Sequence, residues 1–175
     1  EGERAALSNM GDTYLQAGQY QKAIATLTLA LRVKVPGDSR ETNPGRLVRL
    51  ADVYLASGHA TKSLELMDQA LPLFQENEKR DKATALEILG RVYLSLNDPE
   101  KALPALKSAF DENLKIGESA ELTRLTLDLA RAHKLLGNLD EARTQSDACL
   151  ARIEASRSML INPERRSSYF GTQQE

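Results

Sequence analysis

The chain has 175 residues, 41% hydrophobic and 27% charged, with 25 acidic against 23 basic residues and a formal net charge of −2. That is one domain's worth of globular protein, and the balance argues against a nucleic-acid partner, whose footprint is a basic stripe. A single cysteine excludes an internal disulfide and a Cys-rich zinc site, and the two histidines, 74 positions apart, give no metal spacing.

No apolar run approaches the ~18 residues of a membrane span, and no signal-peptide pattern is present. The expectation is a cytoplasmic protein with no cofactor, no metal and no membrane partner. From the N-terminus, apolar residues at helical spacing predict helices over 4–17 and 20–34, broken at Gly18. Residues 27–35, "LTLALRVKV", alternate as a strand would. The register of the whole chain favours helix there and leaves Leu29 and Val33 off the core face.

The segment 36–43 is a loop ending in Asn43-Pro44, a cap residue followed by proline at the first helical position. Helices follow over 44–57 and 60–76, around Gly58, and over 81–96 and 99–115, around Asn97. The last pair is predicted over 119–136 and 139–157, around Gly137. Asn162-Pro163 then repeats the cap-and-proline pair of Asn43-Pro44.

These pairs are copies of one unit. The 25-residue stretches starting at Leu7, Leu47, Leu86 and Thr126 align without gaps, in steps of 40, 39 and 40. Each carries an apolar and then a small residue: Met10-Gly11, Leu50-Ala51, Leu89-Gly90, Leu129-Ala130. A ring follows at Tyr14, Tyr54, Tyr93 and His133, and then the turn residue. Small residues recur in the second helix at Ala23, Ser63, Ala102 and Ala142, and again at Ala30, Ala70, Ala109 and Cys149. Each unit is thus a helical hairpin that cannot bury its apolar stripe alone and must stack on its neighbours.

With these slots in place the sequence resembles a tetratricopeptide repeat (TPR) array, in the longer form of about 40 residues found in kinesin-light-chain-like arrays rather than the usual 34. The early tryptophan of that pattern is absent, its place taken by Leu7, Leu47, Leu86 and Thr126. The resemblance implies an all-α, right-handed solenoid of four helix–turn–helix units over 1–161, with repeats at about 4–37, 44–77, 83–116 and 123–156. Residues 162–175 would be the start of a fifth unit and a capping helix. The stretch from Arg152, "RIEASRSMLINPERRSSYFGTQQE", resembles the junction between TPRs and a CHAT domain, a caspase-like protease domain of bacterial TPR proteins. It implies a catalytic domain beyond residue 175 and none within the chain.

No residue pattern here carries catalysis. Cys149 and His133 invite comparison with a Cys/His protease pair, but they occupy the small-residue and ring slots of the repeat, and Cys is among the most often buried residues. His59 sits in a turn. The informative residues are those that follow the small slot, Asp12, Asp52, Arg91 and Arg131. In TPR proteins this position lines the concave groove. Gln16, Glu87 and Lys134 lie one turn from it or beside it. The expected function is therefore binding of a protein or peptide in a groove that is acidic at its N-terminal half and basic at its C-terminal half. Acids at Asp12 and Asp52, where chaperone-binding TPRs carry Asn, would repel a C-terminal carboxylate. The alternative is a scaffold that self-associates through open solenoid ends.

Overall fold

The computed structural model describes residues 2–33, 43–116 and 119–161, and no strand occurs among them. Eight α-helices follow in order: α1 (Gly2–Gln16), α2 (Tyr20–Arg32), α3 (Pro44–Ala56), α4 (Ala60–Ala70), α5 (Lys79–Ser95), α6 (Pro99–Ile116), α7 (Ser119–Leu135) and α8 (Leu139–Ile161). They form four hairpins, each packed on the next into an all-α solenoid. The window over 27–35 is helical through Arg32. Leu29 is exposed, as its off-core position requires, and Val33 is half-buried. The tail from Asn162, and with it the expected fifth helix, lies outside the described residues.

The hairpin turn is built identically four times. Gly18, Gly58, Asn97 and Gly137 all have positive φ, between 58° and 82°. The amide of the next residue reaches back five positions, as in Gln19 N–H to the Tyr14 carbonyl and Asp98 N–H to the Tyr93 carbonyl. The turn residue's own amide closes on the carbonyl three residues earlier. This double closure satisfies the last carbonyls of the first helix and needs a left-handed residue at the turn, the conformation Gly adopts freely and Asn tolerates.

Within the first three hairpins a large side chain from the second helix lies opposite the small slot of the first. Leu27, Met67 and Leu106 are all essentially inaccessible to solvent. A Cβ at Gly11 would lie 2.5 Å from Leu27 Cγ, and one at Gly90 would lie 2.5 Å from Leu106 Cγ. Branched leucine thus faces glycine, whereas the second hairpin pairs Ala51 with the slimmer, unbranched Met67. In the fourth the register puts Ser146 opposite Ala130, and its hydroxyl donates to the Ala142 carbonyl behind it in α8. Ser63, a polar residue in a small slot, is buried because its hydroxyl donates to the Ala51 carbonyl at 2.7 Å.

One boundary departs from expectation. The fourth helix was expected to reach 76, but α4 ends at Ala70 and a 3₁₀ turn covers Leu71–Leu73. Pro72 has no amide to continue the helical ladder, and Phe74 beyond it is extended, at ψ 134°. The core is continuous. One cluster runs through α2 to α6, a second through α5 to α7, and Leu86 and Tyr93 of α5 pack on both.

Candidate functional site

The first helices of consecutive hairpins (α1 with α3, α3 with α5, α5 with α7) approach one another more closely than the second helices do. The stack therefore curves with its first helices inside. The concave face is the row of first-helix positions that point away from the second helices.

Asp12, Asp52, Arg91 and Arg131 lie on these four helices, but they do not divide the groove into an acidic and a basic half. Asp12, Asp52 and Arg91 join a ladder of opposite charges that crosses from one repeat to the next, and Arg131 pairs within its own helix. Asp12 pairs with Arg49 of α3. Asp52 pairs with Arg91 of α5 at 3.5 Å. Glu87 of α5 takes both Nε and Nη2 of Arg124 from α7. Asp128, buried in α7, accepts from Arg131 at 3.2 Å. The correction to the expected split has a physical cause: adjacent first helices are close enough for each guanidinium to reach a carboxylate on its neighbour, and bidentate arginine geometry favours doing so.

Burial sets the electrostatics. It pushes the Asp52 carboxyl above its ordinary range. Arg91 and then Arg124 oppose this, while Asp12 adds to it. Burial likewise raises Asp128, against Arg91, Arg131 and Arg124. Arg91 is thus the shared counter-charge of two half-desolvated acids.

Among the expected groove residues, Glu87 is engaged beneath Arg124 and only 2% exposed. Gln16 and Lys134 are exposed, and the side chain of Arg131 is 64% exposed beside Asp128. Leu127 and Leu135, one turn before and after Arg131, are half exposed as well. At the other end a hollow of about 540 Å³ opens between the starts of α1, α3 and α5, lined by Ser8, Asn9, Arg49 and Thr84 among others. The ladder partners Arg49, Arg124 and Asp128 were not anticipated from sequence. The signal for two of them was there. Asp12 to Arg49 and Glu87 to Arg124 are both 37 residues apart, one repeat step less one helical turn.

The chemical candidates take the places their repeat slots imply. Cys149 is buried, its thiol 3.6 Å from the Thr123 carbonyl. His133 is half-buried, with Nδ1 enclosed and unpartnered. His59 is exposed, its ring edge-on to Tyr54 and Nδ1 3.1 Å from Ser57 Oγ. Among the described residues no group of three His, Cys, Asp or Glu could hold a metal ion, and no helix is long and apolar enough to cross a membrane.

A curved stack of helical hairpins with a continuous charged inner face is a repeat solenoid, an architecture generally used to bind other proteins. Tetratricopeptide repeat models match residues 6–41, 47–111 and 89–152. Tetratricopeptide repeats thus run through most of the chain. Protein KINESIN LIGHT CHAIN-RELATED 1 of Arabidopsis thaliana is 24% identical over 182 aligned positions. The alignment takes in 98% of this chain, which spans only 28% of that protein. BtubC (BKLC) from P. vanneervenii superposes with a TM-score of 0.75 at 20% identity, over 91% of this chain and 66% of that one. A Rap protein complexed with competence and sporulation factor superposes with a TM-score of 0.72 at 19% identity, over 87% and 43%. Similarity at these identities is similarity of fold.

Proposed function

We propose that the chain binds a protein or peptide on its concave face, with the principal contacts at the C-terminal end of the groove. The observation that carries this reading is the exposure of Arg131 on α7, flanked by half-exposed Leu127 and Leu135 and beside Lys134. Elsewhere along the inner face the arginines Arg49, Arg91 and Arg124 pair across repeats with Asp12, Asp52 and Glu87, whereas the partner of Arg131, Asp128, lies on its own helix. The candidate contact set is Gln16, Asp12, Asp52, Arg91, Arg131 and Lys134, with Glu87 acting through Arg124.

In the finer form of this reading the array is the recognition or regulatory arm of a larger cytoplasmic bacterial protein with a C-terminal CHAT protease domain. The support for that is the wording of residues 152–175. The resemblances to kinesin-light-chain-related and Rap proteins support partner binding in general. The rival, a self-associating scaffold, is separated by light scattering over a range of concentrations.

The direct test places a photo-crosslinking side chain at Gln16, Ser95 or Lys134 on the inner face, and at Lys107 on α6 as the outer control. Each variant is exposed to an extract of the source cells. Inner positions should capture a discrete partner that Lys107 misses, and R131E with K134E should weaken capture, more so at low salt. Capture at Lys107 alone, or indifference to the double charge reversal, moves the site off this face.

A further inference from the structure

The third and fourth hairpins differ from the first two along the edge of the solenoid where the turns lie. The two positions before the turn residue are Gln16 and Ala17 in the first hairpin and Ala56 and Ser57 in the second. In the third they are Ser95 and Leu96, and in the fourth Leu135 and Leu136. All four turns close with the same geometry, so the fold does not require leucine there. Leu96 is 37% exposed, Leu135 is half exposed and Leu136 is half-buried. These leucines and Pro99 line one open hollow of about 650 Å³ between the third turn and the end of α7, together with Asp98 and Glu100. Charge changes in step. The first turns of α2 and α4 hold no acid, and one slot carries Lys22 and Lys62. Its third copy, Lys101, is held by Asp98 at 2.8 Å, and its fourth is an acid, Glu141. Glu100 in the first turn of α6, and Asp140 and Glu141 in that of α8, are all exposed. Such acids complement a helix dipole, but α2 and α4 form without them, and the dipole does not account for the leucines.

We propose that this turn edge is a second docking site, for a basic amphipathic segment of another protein. Its aliphatic side chains seat against Leu96, Leu135 and Leu136, and its lysines or arginines lie beside Glu100, Asp140 and Glu141. An exposed apolar patch bordered by charge marks an interaction surface, and a hollow of this volume is in the range of ligand sites. The acids choose the partner's sign. They favour a cationic segment over an acidic one, and they repel the anionic surface of a membrane. The edge is distinct from the inner-face site, where Arg131 and Lys134 suit an anionic group. Leu135 borders both.

The probe is a fluorescent helical peptide of leucine and lysine, titrated onto the chain beside leucine–glutamate and glycine–lysine counterparts. Only the leucine–lysine peptide should bind, and more weakly as salt rises. Leu96→Ser with Leu136→Ala, which copies Ser57 and Ala17, should weaken binding about tenfold. Glu100→Gln with Glu141→Lys, which copies Gln21 and Lys22, should also weaken it. Each change installs a residue that an earlier hairpin already uses, so both variants should keep their helices, as far-ultraviolet circular dichroism checks. Arg131→Glu, which disables the inner-face site, should leave peptide binding intact. Loss of binding on Arg131→Glu would put the peptide in the groove and overturn the proposal. So would absence of binding, equal binding of either counterpart peptide, or indifference to both edge variants. A wild-type dimer that Leu96→Ser with Leu136→Ala dissociates, seen by light scattering, would make the occupant a second copy and overturn it as well.

Discussion

Gly11 and Gly90 are where single atoms matter most, because the leucine facing each already occupies the volume a methyl group would need. Gly90→Ala should cost about 1–3 kcal/mol as overpacking. The second hairpin shows the remedy, so Gly90→Ala combined with Leu106→Met, which copies Ala51 with Met67, should recover much of the loss in a denaturant melt. A double variant no better than the single one would mean that backbone approach, not the plug, sets the slot. The ladder acids make a different prediction. The folded chain holds Asp52 and Asp128 above their ordinary 3.8, chiefly through burial. Their stabilising contribution is therefore present below that ordinary value and is lost as pH rises through the raised folded values. Asp52→Asn and Asp128→Asn should each raise stability at neutral pH and leave it unchanged near pH 3, where the carboxyl is already protonated. Arg91→Ala, by removing the shared counter-charge, should destabilise at neutral pH and much less in acid. If the Asn variants are weaker at neutral pH, pairing with Arg91 outweighs burial.

At the scale of the element, the turn decides where each hairpin folds back, and its one non-glycine copy is the sensitive one. Asn97 holds φ 58°, which alanine adopts at a cost of roughly 1–2 kcal/mol. Asn97→Ala should lower the Tm while Asn97→Gly should not, and equal effects would indicate that the Asn side chain matters more than its backbone. Helix existence, type and turn position were legible because four in-register copies reinforce each other, enough to override the strand-like alternation of 27–35. The early end of α4 was not, because the repeat register carried the helix through Pro72, where the missing amide prevails. The groove was half legible. Register placed Asp12, Asp52, Arg91 and Arg131 on consecutive first helices. A reading confined to one slot per repeat, though, misses partners offset by a helical turn, such as Arg49 and Arg124. Burial of Glu87 under Arg124 depends on contact between α5 and α7, which is set by curvature and not by local pattern.

For the molecule as a whole, nearest-neighbour stacking makes stability a local quantity, highest where a hairpin is flanked on both sides. Seven residues of α3 and eight of α5 are buried, but in α1 only Gly11 is, and among the described side chains of α8 only Ala142 and Cys149 are. Amide exchange should therefore be slowest in α3 to α6 and begin at α1 and α8. The same logic fixes how damage spreads. Leu27→Ala removes the plug of the first hairpin and should cost about 2–5 kcal/mol, lost mainly from α1 to α3. Met67→Ala acts on the second hairpin, whose neighbours lie on both sides, and should lower protection from α2 through α5. Exchange followed by mass spectrometry distinguishes the two patterns helix by helix. If Leu27→Ala instead lowers protection evenly through α8, the continuity of the two core clusters across α5 dominates, and the four hairpins unfold as one cooperative unit.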